Sequence, residues 1–259
     1  MRQNTRIAIP AFLIFCSFLF AQTWWDDRPY MQWSGNEVML ILTDSPWARQ
    51  SIANPHGDVY QFDLLTARPV REAFLRSLSL KPEKSVDVGE LEKNGNAANS
   101  DKGMIVTIPD YPEGSPGQER EQRRLKEFIA SNPSNVLVKG DEEYIIVSLT
   151  LRIQGNRSWF WIFTDANHST ELVAIDPSEL KAVTRLETDT GKTVALFRYE
   201  RPGMDNLGAK FFFKRQLADG SPLVTTKDRE LRFKTHLDGR EVKVKFDLRK
   251  MMYKEKLEF

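Results

Sequence analysis

The sequence predicts an α+β protein of mostly antiparallel β-sheet, sandwich-like, with a few packed helices. From residue 135 onward strand-like segments dominate, and the last two, 231–237 and 240–247, alternate apolar and polar residues as half-buried strands do. Turn sequences, above all Asp238-Gly239, separate these segments as hairpin loops do. Earlier stretches near 35–44, 69–78 and 118–131 carry apolar residues at helical intervals instead. We therefore expect helices packed on or beside a largely antiparallel sheet.

The first of these helices has a start signal and a stop signal. Ser34 followed by Glu37 forms a capping box, in which each side chain binds a free amide of the first turn. The next apolar residues share one helix face: Val38, Ile41 and Leu42. Pro46 cannot continue the helix without a kink, so the chain is predicted to turn there into the first strand.

Four of the six tryptophans surround this helix: Trp24, Trp25, Trp33 and Trp47. Large aromatic side chains mostly serve cores, so we expect them to cover the helix ends and to staple the helix to the sheet. The alternative interpretation is an aromatic docking site near the mature N-terminus.

Further strands are predicted at 59–65, 143–154, 193–200 and 209–217. A four-residue loop then leads from the second of these into "WFWIF", which would complete a hairpin. Trp159 and Trp161 fall on one side of that last strand. If both faces are buried, the strand is central in a core. If the tryptophan face is open, the two indoles make a flat platform for a sugar or an apolar ligand.

The hairpin around Asp238-Gly239 is predicted down to its register. A two-residue loop places Phe233 opposite Val244, so that apolar residues meet along one face of the ladder. The same register collects four cations on the other face, with Arg232 opposite Lys245 and Lys234 opposite Lys243. Like charges across a ladder are mildly destabilising. These cations either extend into solvent, or are covered by carboxylates from elsewhere, or hold an anionic partner.

Catalytic motifs are scarce. The three histidines, His56, His168 and His236, lie far apart and none has a second histidine at metal-ligand spacing. The chain has no G-x-S-x-G, G-x-G-x-x-G or P-loop motif. We therefore expect no catalytic residue, metal ligand or cofactor site, although a pair of carboxylates brought together by the fold stays open.

The N-terminus resembles a secretory signal peptide. Arg2 and Arg6 precede an uncharged apolar run that ends at Ala21, and this run is short for a transmembrane helix. The single cysteine, Cys16, lies inside it, so the mature chain is predicted to have no disulfide. We expect a periplasmic or secreted protein with no stable membrane span after cleavage.

The organisation that follows is a signal peptide at 1–21 and a helix–strand–helix segment at 22–80. A polar flexible linker or loop at 81–102 leads into a β-rich body at 103–259. Residues 22–259 are expected to form one compact domain. The charges balance, with 37 Lys and Arg against 36 Asp and Glu, so nothing in the overall charge favours nucleic acid as a partner.

Three stretches carry a resemblance: "WSGNEVMLILTDSPWARQ", "ARPVREAF" and "REVKVKFDLRKMMYKEKLEF". With them the chain resembles uncharacterised secreted bacterial proteins of acidobacterial type that share a W-S-x2-E-V…L-T-D-S-P-W-A motif. The resemblance covers most of the mature chain. No activity is established for that group, so the resemblance transfers no functional residue.

The functional expectation is a non-enzymatic extracytoplasmic protein that binds an envelope protein or a glycan, or supports envelope assembly. Its ligand-binding candidates are Trp159, Trp161, Arg232, Lys234, Lys243 and Lys245. The alternative is a carboxylate-based hydrolase of a glycan or envelope polymer, with the tryptophan pair as a sugar platform. The sequence favours the first and does not decide between them.

Overall fold

A computed structural model describes residues 24–55, 57–80, 111, 114–152, 176–203, 205 and 207–259. The predicted signal peptide, the predicted linker at 81–102 and the predicted strand with Trp159 and Trp161 lie outside these residues. Within the described ranges, no helix combines the length and the apolar character needed to cross a membrane.

The helices of the described residues range from four to sixteen residues in length. They are α1 (Trp24–Asp27), α2 (Gly35–Thr43), α3 (Arg68–Ser79), α4 (Pro116–Ser131), α5 (Val136–Lys139) and α6 (Pro177–Val183), with 3-10 turns at Tyr30–Gln32 and Leu248–Lys250. The three helices predicted from helical periodicity are therefore confirmed as α2, α3 and α4.

The strands are numbered along the chain. They are β1 (Ala48–Ile52), β2 (Val59–Leu64), β3 (Tyr144–Arg152), β4 (Arg185–Thr188), β5 (Thr193–Ala195), β6 (Arg198–Glu200), β7 (Ala209–Lys214), β8 (Glu230–Leu237), β9 (Arg240–Asp247), β10 (Met252–Tyr253) and β11 (Lys256–Leu257).

Two antiparallel sheets face each other. Sheet A has the order β1-β2-β3-β7-β6 and sheet B the order β5-β4-β8-β9, while β10 and β11 pair separately. Phe233 of sheet B packs against Phe62 and Phe211 of sheet A, with ring centroids 5.4 and 5.2 Å apart. The predicted fold class, α+β with a sandwich-like antiparallel sheet, is confirmed.

The β8–β9 hairpin has the predicted register. Phe233 pairs with Val244, and Lys234 pairs with Lys243 on the opposite face. Asp238 and Gly239 both have positive φ, as a type I′ turn requires. The sequence was sufficient here because turn length and alternation act on neighbouring residues.

Helix α2 begins at the predicted capping box and is anchored to the core as predicted. The Ser34 hydroxyl accepts a hydrogen bond from the Glu37 amide, and the Glu37 carboxylate accepts one from the Ser34 amide. Trp33 and Trp47 are fully buried. The Trp47 indole nitrogen donates to the Glu258 carbonyl at 2.8 Å, which ties the end of the chain to this helix. The core interpretation therefore holds for these two tryptophans.

One predicted strand is wrong in its extent. Residues 193–200 form two strands, because the chain leaves sheet B after Ala195 and enters sheet A at Arg198. The Leu196 amide still donates to the Thr184 carbonyl, whereas the next amide, of Phe197, already donates to the Phe212 carbonyl. Alternation continues through such a crossing, so the pattern alone did not reveal it.

Gly208 allows a close backbone approach beside β3. Its φ is +72°, and a Cβ there would lie 2.3 Å from the Leu149 carbonyl oxygen. We expect Gly208→Ala to lower the free energy of unfolding by several kcal/mol, because backbone strain and an overlap with fixed backbone atoms add.

Gly220→Ala is the matched control. Gly220 has a similar φ of +81°, but its Cβ would meet nothing within 4 Å. Its free energy of unfolding should fall by only roughly 1 kcal/mol, which is the cost of placing alanine in the left-handed conformation. Urea unfolding of both variants measures the difference, and equal losses would contradict the overlap at Gly208.

Candidate functional site

The basic hairpin face lies on the outer surface of sheet B, and neighbouring carboxylates contact most of it. Lys234 pairs with Glu187 of β4, and Glu187 also binds Arg185 at 2.5 Å. Arg232 pairs with Glu230 at 2.7 Å, and Lys243 pairs with Glu241 at 2.6 Å. Of the alternatives left open by the sequence, cover by a carboxylate from elsewhere in the fold is observed for Lys234 alone. Arg232 and Lys243 pair with carboxylates of their own strands, and the side chain of Lys243 is about half exposed.

The pKa shifts on this face follow from the pairing. Hydrogen bonds from Lys234 and Arg185 lower the pKa of Glu187, and the bond from Lys243 lowers that of Glu241. Lys245 has no ion pair among the described residues, and its carbonyl accepts a hydrogen bond from Arg49 at 2.7 Å. The face is thus an interlaced set of opposite charges, and Lys245 is an exposed lysine outside these ion pairs.

A second cluster lies on the opposite side of the sandwich, on the outer face of sheet A. Phe62 points toward sheet B, so its neighbours Gln61 and Asp63 point outward. The strand registers place Asp63 beside Ser148 of β3, and Ser148 beside Lys210 of β7. We call five buried polar residues of this face the polar row: Gln61, Asp63, Ser148, Thr150 and Lys210.

Asp63 is the most perturbed member of the polar row. Its carboxylate Oδ1 accepts a hydrogen bond from the Gln61 amide at 3.0 Å, and Gln61 accepts one from Gln50 at 2.9 Å. No described cation contacts it. Burial raises the pKa of Asp63 to about 8, because desolvation disfavours the charged form more than the Gln61 bond favours it. Asp63 is therefore a neutral acid at pH 7.

The other members of the polar row differ in how well they are satisfied. Lys210 lies 2.7 Å from Asp205 and 3.4 Å from Glu200. The Thr150 hydroxyl is buried and has no hydrogen-bond partner in the described part of the chain. Buried polar atoms normally find partners. Thr150 and Asp63 thus leave this face with unused hydrogen-bonding capacity.

The same face becomes exposed and aromatic toward its β6 edge. The rings of Tyr144 and Phe197 lie 5.1 Å apart with an interplanar angle of 32°. Phe197 is 44% exposed. The Lys214 ammonium lies 5.2 Å from the Phe197 ring centroid, and Arg198 binds Glu200 at 2.7 Å. We call this group the β6 patch: Tyr144, Phe197, Arg198, Glu200 and Lys214.

Sequence reasoning missed both clusters on sheet A. Polar residues do interrupt apolar runs in β2 and β3, and this was a usable signal. Their partners come from β7 and β6, far along the chain, and the order of strands in a sheet is not visible in alternation. Phe197 was assigned to the middle of a strand, whereas it lies at the crossing between the sheets.

Of the three histidines, His236 is the one that lies among the described residues. It pairs with Glu241 across the β8–β9 ladder, on the outer face of sheet B. Within the described ranges, no three His, Cys, Asp or Glu side chains group in a way that could hold a metal ion.

Comparison with protein-family models, with curated proteins and with solved structures finds no match to this chain. The geometry of the two sheet faces is therefore the basis for assigning a function.

Proposed function

We propose that this protein is a non-enzymatic binding or envelope-assembly protein that works outside the cytoplasm, in the periplasm or as a secreted protein. The observation that carries the proposal is the β6 patch, an exposed aromatic surface surrounded by charged side chains. An apolar centre with a polar rim is the composition of binding surfaces. The signal-peptide pattern of the N-terminus supports the location.

The two sheet faces differ in their suitability for binding. On sheet B, an exposed ion pair contributes little by itself, about 0–1 kcal/mol, and paired charges offer little to an anionic partner. On sheet A, Phe197 offers apolar area that solvent now covers, and burying such area is the main favourable term in association. We therefore place the binding surface at the β6 patch.

The test is site-specific photo-crosslinking in the native host. A photoreactive amino acid at Phe197 is expected to form a discrete adduct with an envelope component. The same amino acid at Lys245 is the matched control, because that side chain is also exposed and lies on the opposite face of the sandwich.

An adduct that forms at Phe197 and not at Lys245 supports the proposal. Adducts of the same yield at both positions indicate random collision, and no adduct at Phe197 contradicts the proposed binding surface.

The carboxylate-based hydrolase is the second candidate, and Asp63 is the observation in its favour. A carboxyl that keeps its proton at neutral pH is suited to general acid catalysis. Glu200 lies in the same row across two intervening strands, so its Cα is roughly 14 Å from that of Asp63. The two carboxyl groups of a catalytic pair are typically about 5–10 Å apart, so this backbone separation is long for Asp63 and Glu200 to act as such a pair. Polysaccharide cleavage that Asp63→Asn abolishes would favour this candidate over the first.

A further inference from the structure

We infer that the β6 patch binds a neutral glycan, with a sugar ring stacked on Phe197 and its hydroxyls bound by the flanking Arg198–Glu200 pair. This inference rests on the proposed binding function and names the class of its ligand.

The Phe197 and Tyr144 rings are arranged so that the apolar face of a sugar ring can stack on them. A pyranose with equatorial hydroxyls presents C–H bonds above and below its ring, and these form an apolar surface of about the size of a benzene ring. With centroids 5.1 Å apart and planes inclined by only 32°, the two rings overlap, so Tyr144 backs one face of Phe197 and the other face can take the sugar. Tyr144 is itself supported from behind by Phe212, at 6.1 Å and nearly perpendicular. The platform is therefore held in place before a ligand arrives.

Polar groups lie at the rim of this platform. The Arg198 guanidinium carbon lies 3.8 Å from the centroid of the Phe212 ring, and this contact holds the guanidinium against that buried ring. Among the described residues, its one ion pair, with Glu200, occupies only part of its five donors. The remaining donors lie next to the Glu200 carboxylate, so the pair offers a donor and an acceptor side by side. Such a pair is complementary to the neighbouring hydroxyls of a sugar.

The charges of the patch favour a neutral ligand. Arg198 and Lys210 share Glu200, and Lys210 also binds Asp205. A strongly anionic ligand would have to compete with these carboxylates, and a cationic one with the arginine and lysines. Hydroxyl groups can use the free donors and acceptors without breaking any of these pairs.

The extent of the apolar surface favours a sugar over a protein partner. Among the described residues, the other exposed large apolar side chains are Leu40, Ile52 and Met252. Ile52 is at the β1 edge of sheet A, the edge opposite to β6, and the other two lie on α2 and β10. A stable protein interface needs on the order of 800 Å² on each partner with an apolar centre. A single exposed ring matches one sugar unit instead.

Lys214 is the group that a ligand would displace. Its ammonium contacts the Phe197 ring at 5.2 Å and is exposed. Cation–π contacts at exposed sites are weak. A stacked sugar therefore replaces a weak contact and buries apolar area that the lysine leaves open.

The experiment measures binding of the purified protein to cellulose, to chitin and to their soluble oligosaccharides, with polygalacturonate as the anionic comparison. We expect binding to at least one neutral glycan. Phe197→Ala should weaken it on the order of tenfold, which corresponds to about 1.4 kcal/mol. Phe197→Tyr should retain it, because the ring is preserved. Ile52→Ala is the matched control, since it removes an exposed apolar side chain from the opposite edge of the same sheet.

Three results would overturn the inference: binding to none of the neutral glycans, binding only to polygalacturonate, or equal binding by Phe197→Ala and Ile52→Ala. Thermal unfolding of the variants checks that each is folded. Photo-crosslinking separates the two levels of the argument. A protein adduct at Phe197 without glycan binding removes the glycan and keeps the binding surface, whereas loss of both removes the proposed function as well.

Discussion

Asp63→Asn is expected to become progressively more stable than the wild-type protein as the pH rises from about 4 to 8. Burial raises the pKa of Asp63 in the folded state from 3.8 to about 8. Asparagine has nearly the same shape and can still accept the hydrogen bond from Gln61. It therefore keeps the local contacts while removing the ionisable group.

The sign of the effect follows from proton binding. Between pH 4 and 8 the folded protein keeps the proton on Asp63 and the unfolded chain releases it. Unfolding is therefore favoured increasingly as the pH rises through this window, by ~1.4 kcal/mol for each pH unit. Below pH 4 both states are protonated, and above pH 8 both are ionised, so the difference between variant and wild type levels off at either end.

Urea unfolding at unit intervals from pH 4 to 9 measures this difference directly. Asp219→Asn is the control, because Asp219 is exposed and hydrogen bonds from Ser221 lower its pKa. A carboxyl with a lowered pKa stabilises the folded state above its unfolded pKa, so its removal should never stabilise the protein at alkaline pH. A flat difference for Asp63→Asn would mean that Asp63 is ionised in the folded state.

Arg76→Met is expected to lower the free energy of unfolding by about 3–5 kcal/mol, the usual loss when one partner of a buried ion pair is removed. Arg76 of α3 donates to Glu121 of α4 at 2.8 Å, and both side chains are almost fully buried. Its Nε also donates to the Trp33 carbonyl at 3.0 Å. The substitution leaves the Glu121 carboxylate buried without a cation, and its second oxygen has no partner among the described residues.

The double variant Arg76→Met, Glu121→Leu separates the ion pair from packing. It removes both charges, so it should be less destabilised than Arg76→Met alone. Arg185→Met is the matched control, because Arg185 pairs with Glu187 on the exposed face of sheet B. This variant should lower the free energy of unfolding by less than about 1 kcal/mol. Guanidinium chloride would screen charges, so urea is the suitable denaturant. Equal losses for the double and the single variant would show that the two charges are not coupled.

Asp63 and the Arg76–Glu121 ion pair differ in their position relative to the proposed binding surface. The Arg76–Glu121 pair joins α3 and α4 and also reaches the turn before α2, so it stabilises the helical side of the fold. Asp63 and the polar row lie on the same sheet face as the β6 patch. A change of charge at Asp63 thus acts on the sheet that carries the proposed binding surface, and glycan binding by Asp63→Asn reports whether the two are connected.

The sequence by itself determined the elements whose causes are local. The capping box set the start of α2, the Asp238-Gly239 turn set the register of β8 and β9, and alternation assigned the two faces of that hairpin. In each case the interacting residues are a few positions apart, or are paired by a turn of known length.

Only the tertiary structure decided which distant residues share a surface. Asp63, Ser148 and Lys210 form one row because β2, β3 and β7 are neighbours in sheet A. Phe197 meets Tyr144 because the chain crosses between the sheets at that point. Alternation specifies which face a side chain occupies, but strand order depends on the burial of the whole apolar surface. Contacts between distant strands therefore placed the candidate site, and no local pattern in the sequence encodes them.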